Sequence, residues 1–244
     1  MNSTKIALVT GANKGIGLET VRQLAANGIT VLLAARDEQR GGQAADKLKQ
    51  EGLDVRFLQL DVNDTASQDN AAKFIAENFG RLDILVNNAG IFQEPGVPAS
   101  QGTLEQWRAT FETNVFSLVS LTQKLLPLVK KSEAGRIVNL TSILGSLAMH
   151  SNPKSPIAGA SSSGSAYNAS KAAVNMFTVN LANELKGTPI KVNAAHPGWV
   201  KTDMGGEEAP LDVTEGAKTS VALALLPEDG PTGGYFHLGQ TLPW

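Results

Sequence analysis

The 244-residue sequence contains no cysteine, which removes disulfides, thiolate catalysis and cysteine zinc sites without identifying a redox compartment. Histidine is nearly as scarce. His150, His196 and His237 are the only three, far apart and without local ligand spacing, so no metal site is expected. Charge is sparse as well: 18% of residues are charged, the formal net charge is −2, and lysine and arginine form no cluster. Neither a nucleic acid nor an anionic membrane surface is therefore an expected partner. No run is long and apolar enough to span a bilayer. Met1 to Thr4 lead into the first apolar run without a basic segment followed by a signal core, which makes a cytoplasmic location the expectation.

What remains is a chain that is 42% hydrophobic, able to bury a substantial core, and of a length compatible with one α/β domain over residues 1–244. Apolar runs read as strands at Ile6 to Thr10, Val31 to Ala35, Val55 to Leu60, Ile84 to Asn87, Arg136 to Leu140, Lys191 to His196 and Tyr235 to His237. Helical periodicity falls between them, over Gly17 to Asn27, Asp37 to Glu51, Thr65 to Phe79, Leu104 to Lys130, Ala166 to Leu185 and Val213 to Leu226. The alternation predicts a doubly wound, seven-stranded parallel sheet with helices on both faces. There is no tandem repeat. The one low-complexity patch, Ser161-Ser162-Ser163-Gly164-Ser165, lies inside a polar, proline-containing stretch that starts near His150 and reads as a loop.

Two local patterns carry chemistry. The run Ile6 to Val9 leads into Thr10-Gly11-Ala12-Asn13-Lys14-Gly15-Ile16-Gly17 and then a helical pattern. Glycines at 11, 15 and 17 permit a tight turn, let backbone approach a ligand, and expose amide donors at a helix N-terminus that favours phosphate. The spacing is neither the G-x-G-x-x-G fingerprint nor a Walker loop. In Tyr167-Asn168-Ala169-Ser170-Lys171, a phenol and an ammonium sit four residues apart, where one helix face holds both. A lysine beside a phenol favours the phenolate and brings a pKa of roughly 10 closer to neutrality. Alone, each pattern is ambiguous: such pairs occur on solvated helices, and glycine turns are common.

Combined with Asn87-Asn88-Ala89-Gly90, Ser142 and Pro197-Gly198 in the same chain order, these patterns resemble the short-chain dehydrogenases/reductases, from Lys5 to the C-terminus. Asn13 to Leu18, Ala35-Arg36-Asp37 and Pro197 to Met204 are most similar to the monomeric NADPH carbonyl reductases. The resemblance implies a Rossmann-like fold that binds a nicotinamide dinucleotide through Gly11, Asn13, Lys14, Gly15, Ile16 and Gly17. It further implies an adenine contact at Asp61 and Val62, contacts beyond the fourth strand at Asn88 and Gly90, and a nicotinamide contact at Pro197, Gly198, Val200 and Thr202.

A carboxylate ending the second strand would bind the ribose 2′-hydroxyl of NAD and repel the extra phosphate of NADP. By resemblance, Ala35 takes that place and leaves room for the phosphate, while Arg36 and Lys14 supply positive charge, so NADP(H) is the expected cofactor. Asp37 has two readings: displaced by one residue it becomes the NAD-selecting acid, and otherwise it caps the following helix.

The resemblance assigns Tyr167 as proton donor to the substrate oxygen during reduction, and Lys171 as the cation that lowers its pKa and binds the nicotinamide ribose. Ser142 would hydrogen-bond the carbonyl oxygen, and Asn114 would support a water-linked proton path from the lysine. Thr141 and Ser146 are neighbouring hydroxyls; Ser142 is chosen for its place after the strand end. Tyr167 follows Ser142 by 25 positions. The interval exceeds the commonest family spacing by roughly a dozen residues, an insertion around 150–166 of a size more often functional or disordered than neutral. It acts either as a lid or as a cover over the helix surface through which relatives assemble, which leaves monomer or homo-oligomer open. Phe92, Ile143, Leu144, Trp199 and Met204 are candidate apolar walls, and the short stretch Gly205 to Pro210 suggests an open pocket. The expected activity is NADPH-dependent reduction of a small ketone, aldehyde or quinone to the alcohol. The alternatives are an NAD-dependent alcohol or steroid dehydrogenase and a nicotinamide-binding regulatory protein with little turnover.

Overall fold

The computed structural model describes residues 4–158 and 163–244. Strands β1 (Ile6–Val9), β2 (Thr30–Ala35), β3 (Val55–Gln59), β4 (Ile84–Asn87), β5 (Arg136–Leu140), β6 (Lys191–Ala195) and β7 (Tyr235–His237) run parallel in one sheet. A two-residue β8 (Gln240–Thr241) returns antiparallel beside β7, and the order is β3-β2-β1-β4-β5-β6-β7-β8. The seven predicted parallel strands are present, and β8 is an addition.

Both faces of the sheet are covered at its centre, so β1, β2 and β4 are buried at every position rather than at alternate ones. Ile6 and Leu8 of β1 with Leu32 and Ala34 of β2 face one core, while Ala7, Val9, Val31, Leu33 and Ala35 face the other. Helices α3 (Thr65–Phe79), α5 (Ser117–Val129) and α7 (Ser165–Glu184) cover the first face through Ile75, Leu121, Leu125 and Leu181. Helices α1 (Gly15–Ala26), α2 (Glu38–Gln50) and α8 (Val213–Ala224) cover the second through Val21, Leu24, Leu48 and Ala224. Shorter α4 (Leu104–Phe111) and α6 (Leu147–Ser151) flank the carboxyl end of the sheet. Two buried charges fasten the opposite end. Asp83 accepts from the Ile6 amide at 2.8 Å and the Ser132 hydroxyl at 2.6 Å, and Arg136 donates to the carbonyls of Pro189, Leu226 and Pro227.

Two expectations are revised. The helix predicted from Leu104 to Lys130 is interrupted by a π-helical turn over Glu112–Phe116, and Asn114 sits in it, fully buried. A widened turn of this kind re-aims a side chain without ending the helix, which is why π turns gather at functional sites. The stretch expected to be a loop from His150 begins as the end of α6. Residues 159–162 of the 150–166 insertion, including Ser161 and Ser162, lie outside the described residues.

Candidate active site

The strand order reverses between β1 and β4, and in an open parallel sheet ligands bind at such a switch point, beyond the carboxyl ends of the strands. Here the loops after β1 and β4 meet. Gly11 (φ 61) and Gly15 (φ 57) take the left-handed backbone that the turn into α1 requires. Gly17 is forced by contact: a Cβ there would lie 2.5 Å from Asn88 Nδ2 and 2.7 Å from the Gly11 carbonyl oxygen. Asn88 is a clasp. Its amide donates to the Thr10 and Gly11 carbonyls at 2.8 and 3.2 Å, while Thr10 Oγ1 accepts the Asn88 and Ala89 N–H groups at 3.0 Å each.

From this clasp a cleft runs both ways. One lobe, of about 580 Å³, is lined by Gly11, Asn13, Lys14, Ala35, Arg36 and Asp61 among others, and Val62 and Gly90 also border it. Arg36 and Lys14 are exposed at its rim, and the side-chain carboxylate of Asp203 pairs with Lys14. Asp37 points elsewhere: its carboxylate accepts the Arg40 amide at 2.9 Å as the N-cap of α2. Of its two readings, the cap is the one the geometry favours.

The other lobe, of about 710 Å³, is bordered by Gly15, Ile16, Phe92, Tyr167, Lys171, Pro197, Thr202 and Met204. Tyr167 and Lys171 project from the first turns of α7, both buried. The Lys171 ammonium donates to the Leu140 carbonyl at 3.0 Å and lies 5.6 Å from the centre of the Tyr167 ring. Phe92 packs against that ring, with centroids 4.6 Å apart. Ser142 stands beside the Tyr167 phenol, close enough for its side chain to lower the phenol's pKa. The neighbouring hydroxyls are engaged elsewhere: Thr141 Oγ1 donates to the Lys171 carbonyl at 3.3 Å, and Ser146 Oγ to the Pro243 carbonyl at 2.7 Å.

Burial dominates the protonation of both groups. It pushes the Tyr167 phenol up to about 12, against a smaller downward pull from the Ser142 hydrogen bond, and it draws the Lys171 ammonium down to about 8. Acidification of the phenol by lysine, expected from the sequence, is thus outweighed by desolvation in the protein alone. Asn114 completes the group from behind. Its Oδ1 accepts the Ile91 amide at 2.8 Å, and its Nδ2 donates to the Ile91 carbonyl at 2.9 Å and to Ser170 Oγ at 3.0 Å. A Cβ on Gly90 would stand 3.3 Å from Asn114 Oδ1 and 3.5 Å from Lys171 Nζ, so this glycine brings the backbone against both.

Some expected contacts fall outside the cleft. Val200 is buried under α8, where a Cβ on Gly216 would meet it at 2.7 Å, so its side chain packs the loop rather than facing the cleft. Phe92 and Met204 are cavity walls; Trp199 is instead an exposed indole whose N–H donates to the Gly205 carbonyl at 2.8 Å. Two residues gain roles that their sequence context did not assign. His196 Nδ1 accepts from the Ile143 amide at 3.2 Å and the Gly198 amide at 3.4 Å, joining the turn after Ser142 to the loop after β6. Glu94 accepts the Tyr167 amide at 2.6 Å. Their only signal in sequence was proximity to motifs.

Among the described residues no group of acids and histidines is placed to hold a metal ion, and no helix is long and apolar enough to cross a membrane. Residues 5–211 match the family model for short chain dehydrogenases. Mouse carbonyl reductase [NADPH] 1 is 37% identical over all of this chain and 99% of its own length. The (+)-neomenthol dehydrogenase of Capsicum annuum is 33% identical, with 96% of each chain covered. An NADPH-bound carbonyl reductase from chicken fatty liver superposes with a TM-score of 0.86 at 31% identity, over 99% of both chains. With the glycine loop, the switch-point cleft and the serine, tyrosine and lysine assembled at its head, the chain belongs to the short-chain dehydrogenase family and is an oxidoreductase of that family.

Proposed function

We propose that residues 1–244 act as one NADP(H)-binding domain that reduces a small ketone, aldehyde or quinone to the corresponding alcohol. One observation carries this reading: the Tyr167 phenol and the Lys171 ammonium, with Ser142 beside the phenol, border one lobe of a cleft whose other lobe is bordered by Arg36, and Lys14 lies where the two lobes meet. The cleft suits a dinucleotide. The Gly11–Gly17 turn gives backbone to the phosphates, Gly90 leaves room beside Lys171, and the rim cations suit a 2′-phosphate. Resemblance to NADPH-dependent reductases supports the same choice.

When bound, the cofactor supplies a hydride to the carbonyl carbon. The protein supplies the proton and the polarisation. Tyr167, held protonated by burial, donates its phenolic proton to the carbonyl oxygen as negative charge develops there. Ser142, beside the phenol, supplies a second donor to the same oxygen and stabilises that charge. Lys171 provides a cation beside the tyrosine and a donor for a ribose hydroxyl. Asn114 holds the backbone at Ile91 and the start of α7 in register with these groups.

Side-by-side oxidation of NADPH and NADH with aromatic aldehydes, quinones, cyclic ketones and keto esters tests the reading. Turnover that prefers NADPH is expected. Tight NADPH binding without turnover on the whole panel would favour a regulatory binding role, and a preference for NADH would overturn the cofactor assignment.

A further inference from the structure

Glu94 is a wholly buried acid that the chemistry above does not use. It sits in the loop after β4 between Gln93 and Pro95, both of which line the larger lobe of the cleft. Its Oε1 accepts the Tyr167 backbone N–H at 2.6 Å, whereas Oε2 is buried without a hydrogen-bond partner. A buried carboxylate with one oxygen unused is a poor way to stabilise a fold, so its presence calls for another explanation.

Ordinary helix capping does not provide one. Tyr167 is the third residue of α7, and the N-cap is Gly164, at φ 70, with no side chain to bond the first turn. A serine or aspartate is the usual solution. Here a Cβ at 164 would meet two carbons of the Phe92 ring at 2.9 Å, and Phe92 in turn lies on the Tyr167 ring. The cavity wall occupies the space of a local cap, and the acceptor comes from that same wall two residues further on. The wall is tied to the helix start elsewhere too: the Gly164 amide donates to the Val97 carbonyl at 3.2 Å, and Pro98 bridges Ser163. Beyond Tyr167, its carbonyl accepts from Ser170 Oγ at 2.7 Å, and that hydroxyl accepts from Asn114. Buried side chains therefore hold both backbone polar groups of Tyr167.

We propose that Glu94 is a positioning residue, whose carboxylate locks the cavity wall at residues 91–98 to the first turn of α7 and so fixes the Tyr167 phenol against Ser142. The effect on turnover rests on the reading of Tyr167 as proton donor; the lock itself does not. Loss of the acceptor lets the wall and the helix start move apart, leaving the glycine loop and the rim cations as they are. Gln keeps an acceptor oxygen at the same reach, whereas Asp keeps the charge and draws it back by one methylene.

The test compares Glu94→Ala, Glu94→Asp and Glu94→Gln, with active sites counted by NADPH titration. The expected result is a kcat per site at least tenfold lower in Glu94→Ala and Glu94→Asp, NADPH dissociation constants within threefold of the parent, and recovery to within threefold in Glu94→Gln. Amide hydrogen exchange read by mass spectrometry supplies a measurement independent of activity and, for the unaltered protein, of any variant's folding. The Tyr167 amide should be protected in the unaltered protein, and at least tenfold faster in Glu94→Asp. An unprotected Tyr167 amide, or exchange unchanged by the substitution, would overturn the lock. Altered exchange with kcat per site unchanged would overturn the positioning role. A protein that reduces no carbonyl, yet shows the exchange effect, would overturn the functional reading and leave the lock supported.

Discussion

Acid should unfold this protein through one imidazole. His196 is buried, its Nδ1 accepts two backbone N–H groups, and the His237 ring lies beside it, tilted by 42° with centroids 4.8 Å apart. A protonated ring cannot accept through Nδ1, and burial together with the neighbouring His237 pushes its pKa from 6.5 down to about 3. In the folded state the group therefore stays neutral where the unfolded chain binds a proton. Its contribution to stability is complete above pH 6.5 and is lost progressively as pH falls toward 3. At pH 4.5 the loss amounts to about 3 kcal/mol, or roughly 6–12 °C in Tm for a chain of this size. Urea or thermal unfolding between pH 7.5 and 4.5 measures it, with His196→Asn as the control: the asparagine oxygen replaces Nδ1 as acceptor and does not titrate. The difference in stability between the two proteins should shrink, or reverse in favour of the variant, by about 3 kcal/mol across that range. Parallel pH profiles would refute the argument, since ordinary carboxylates contribute equally to both.

Three further outcomes follow from the geometry. Tyr167→Phe keeps the packing against Phe92 and removes the proton donor beside Ser142; NADPH binding should be retained, with kcat about 100-fold to 10,000-fold lower in a stopped-flow or steady-state assay. Arg36→Asp places a carboxylate at the rim lined by Ala35 and Lys14, and the ratio of kcat/KM for NADPH over NADH should fall at least about 10-fold, equal to roughly 1.4 kcal/mol. Gly17→Ala drives a methyl to 2.5 Å from Asn88 Nδ2 and 2.7 Å from a backbone oxygen, so it should lower stability by about 1–3 kcal/mol in chemical unfolding and weaken NADPH binding in titration.

The sheet was legible in the sequence because its strands are buried on both faces: runs such as Ile6–Val9 and Ile84–Asn87 need no alternation to be read. The glycine loop and the Tyr167–Lys171 pair were legible because their chemistry is local. The break at Glu112–Phe116 was not, since one extra residue in a turn leaves the apolar helical pattern on either side intact. Nor was β8, whose two residues are exposed and whose turn joins Gly239 (φ 80) to a leucine, Leu238, at φ 45, a position usually taken by glycine or asparagine. Glu94 left no trace beyond its nearness to Asn87–Gly90. A single acid between a glutamine and a proline reads as a solvated loop, and its partner lies 73 residues away.

The proton inventory of the site explains why the sequence pattern alone misled on one point. A tyrosine four residues from a lysine suggests a phenol made acidic by its neighbour, yet both groups are buried, and burial opposes charge on each: the phenol rises to about 12 and the ammonium falls to about 8. The pair is thus biased toward its uncharged forms before a ligand adds any charge of its own. That bias fits a proton donor for reduction, which must begin protonated and lose its proton only as charge appears on the substrate oxygen. It also gives Ser142 a purpose beyond the substrate. The one interaction that lowers the phenol's pKa in the protein comes from this serine, whose single proton serves the phenol before the substrate arrives and the developing alkoxide afterwards.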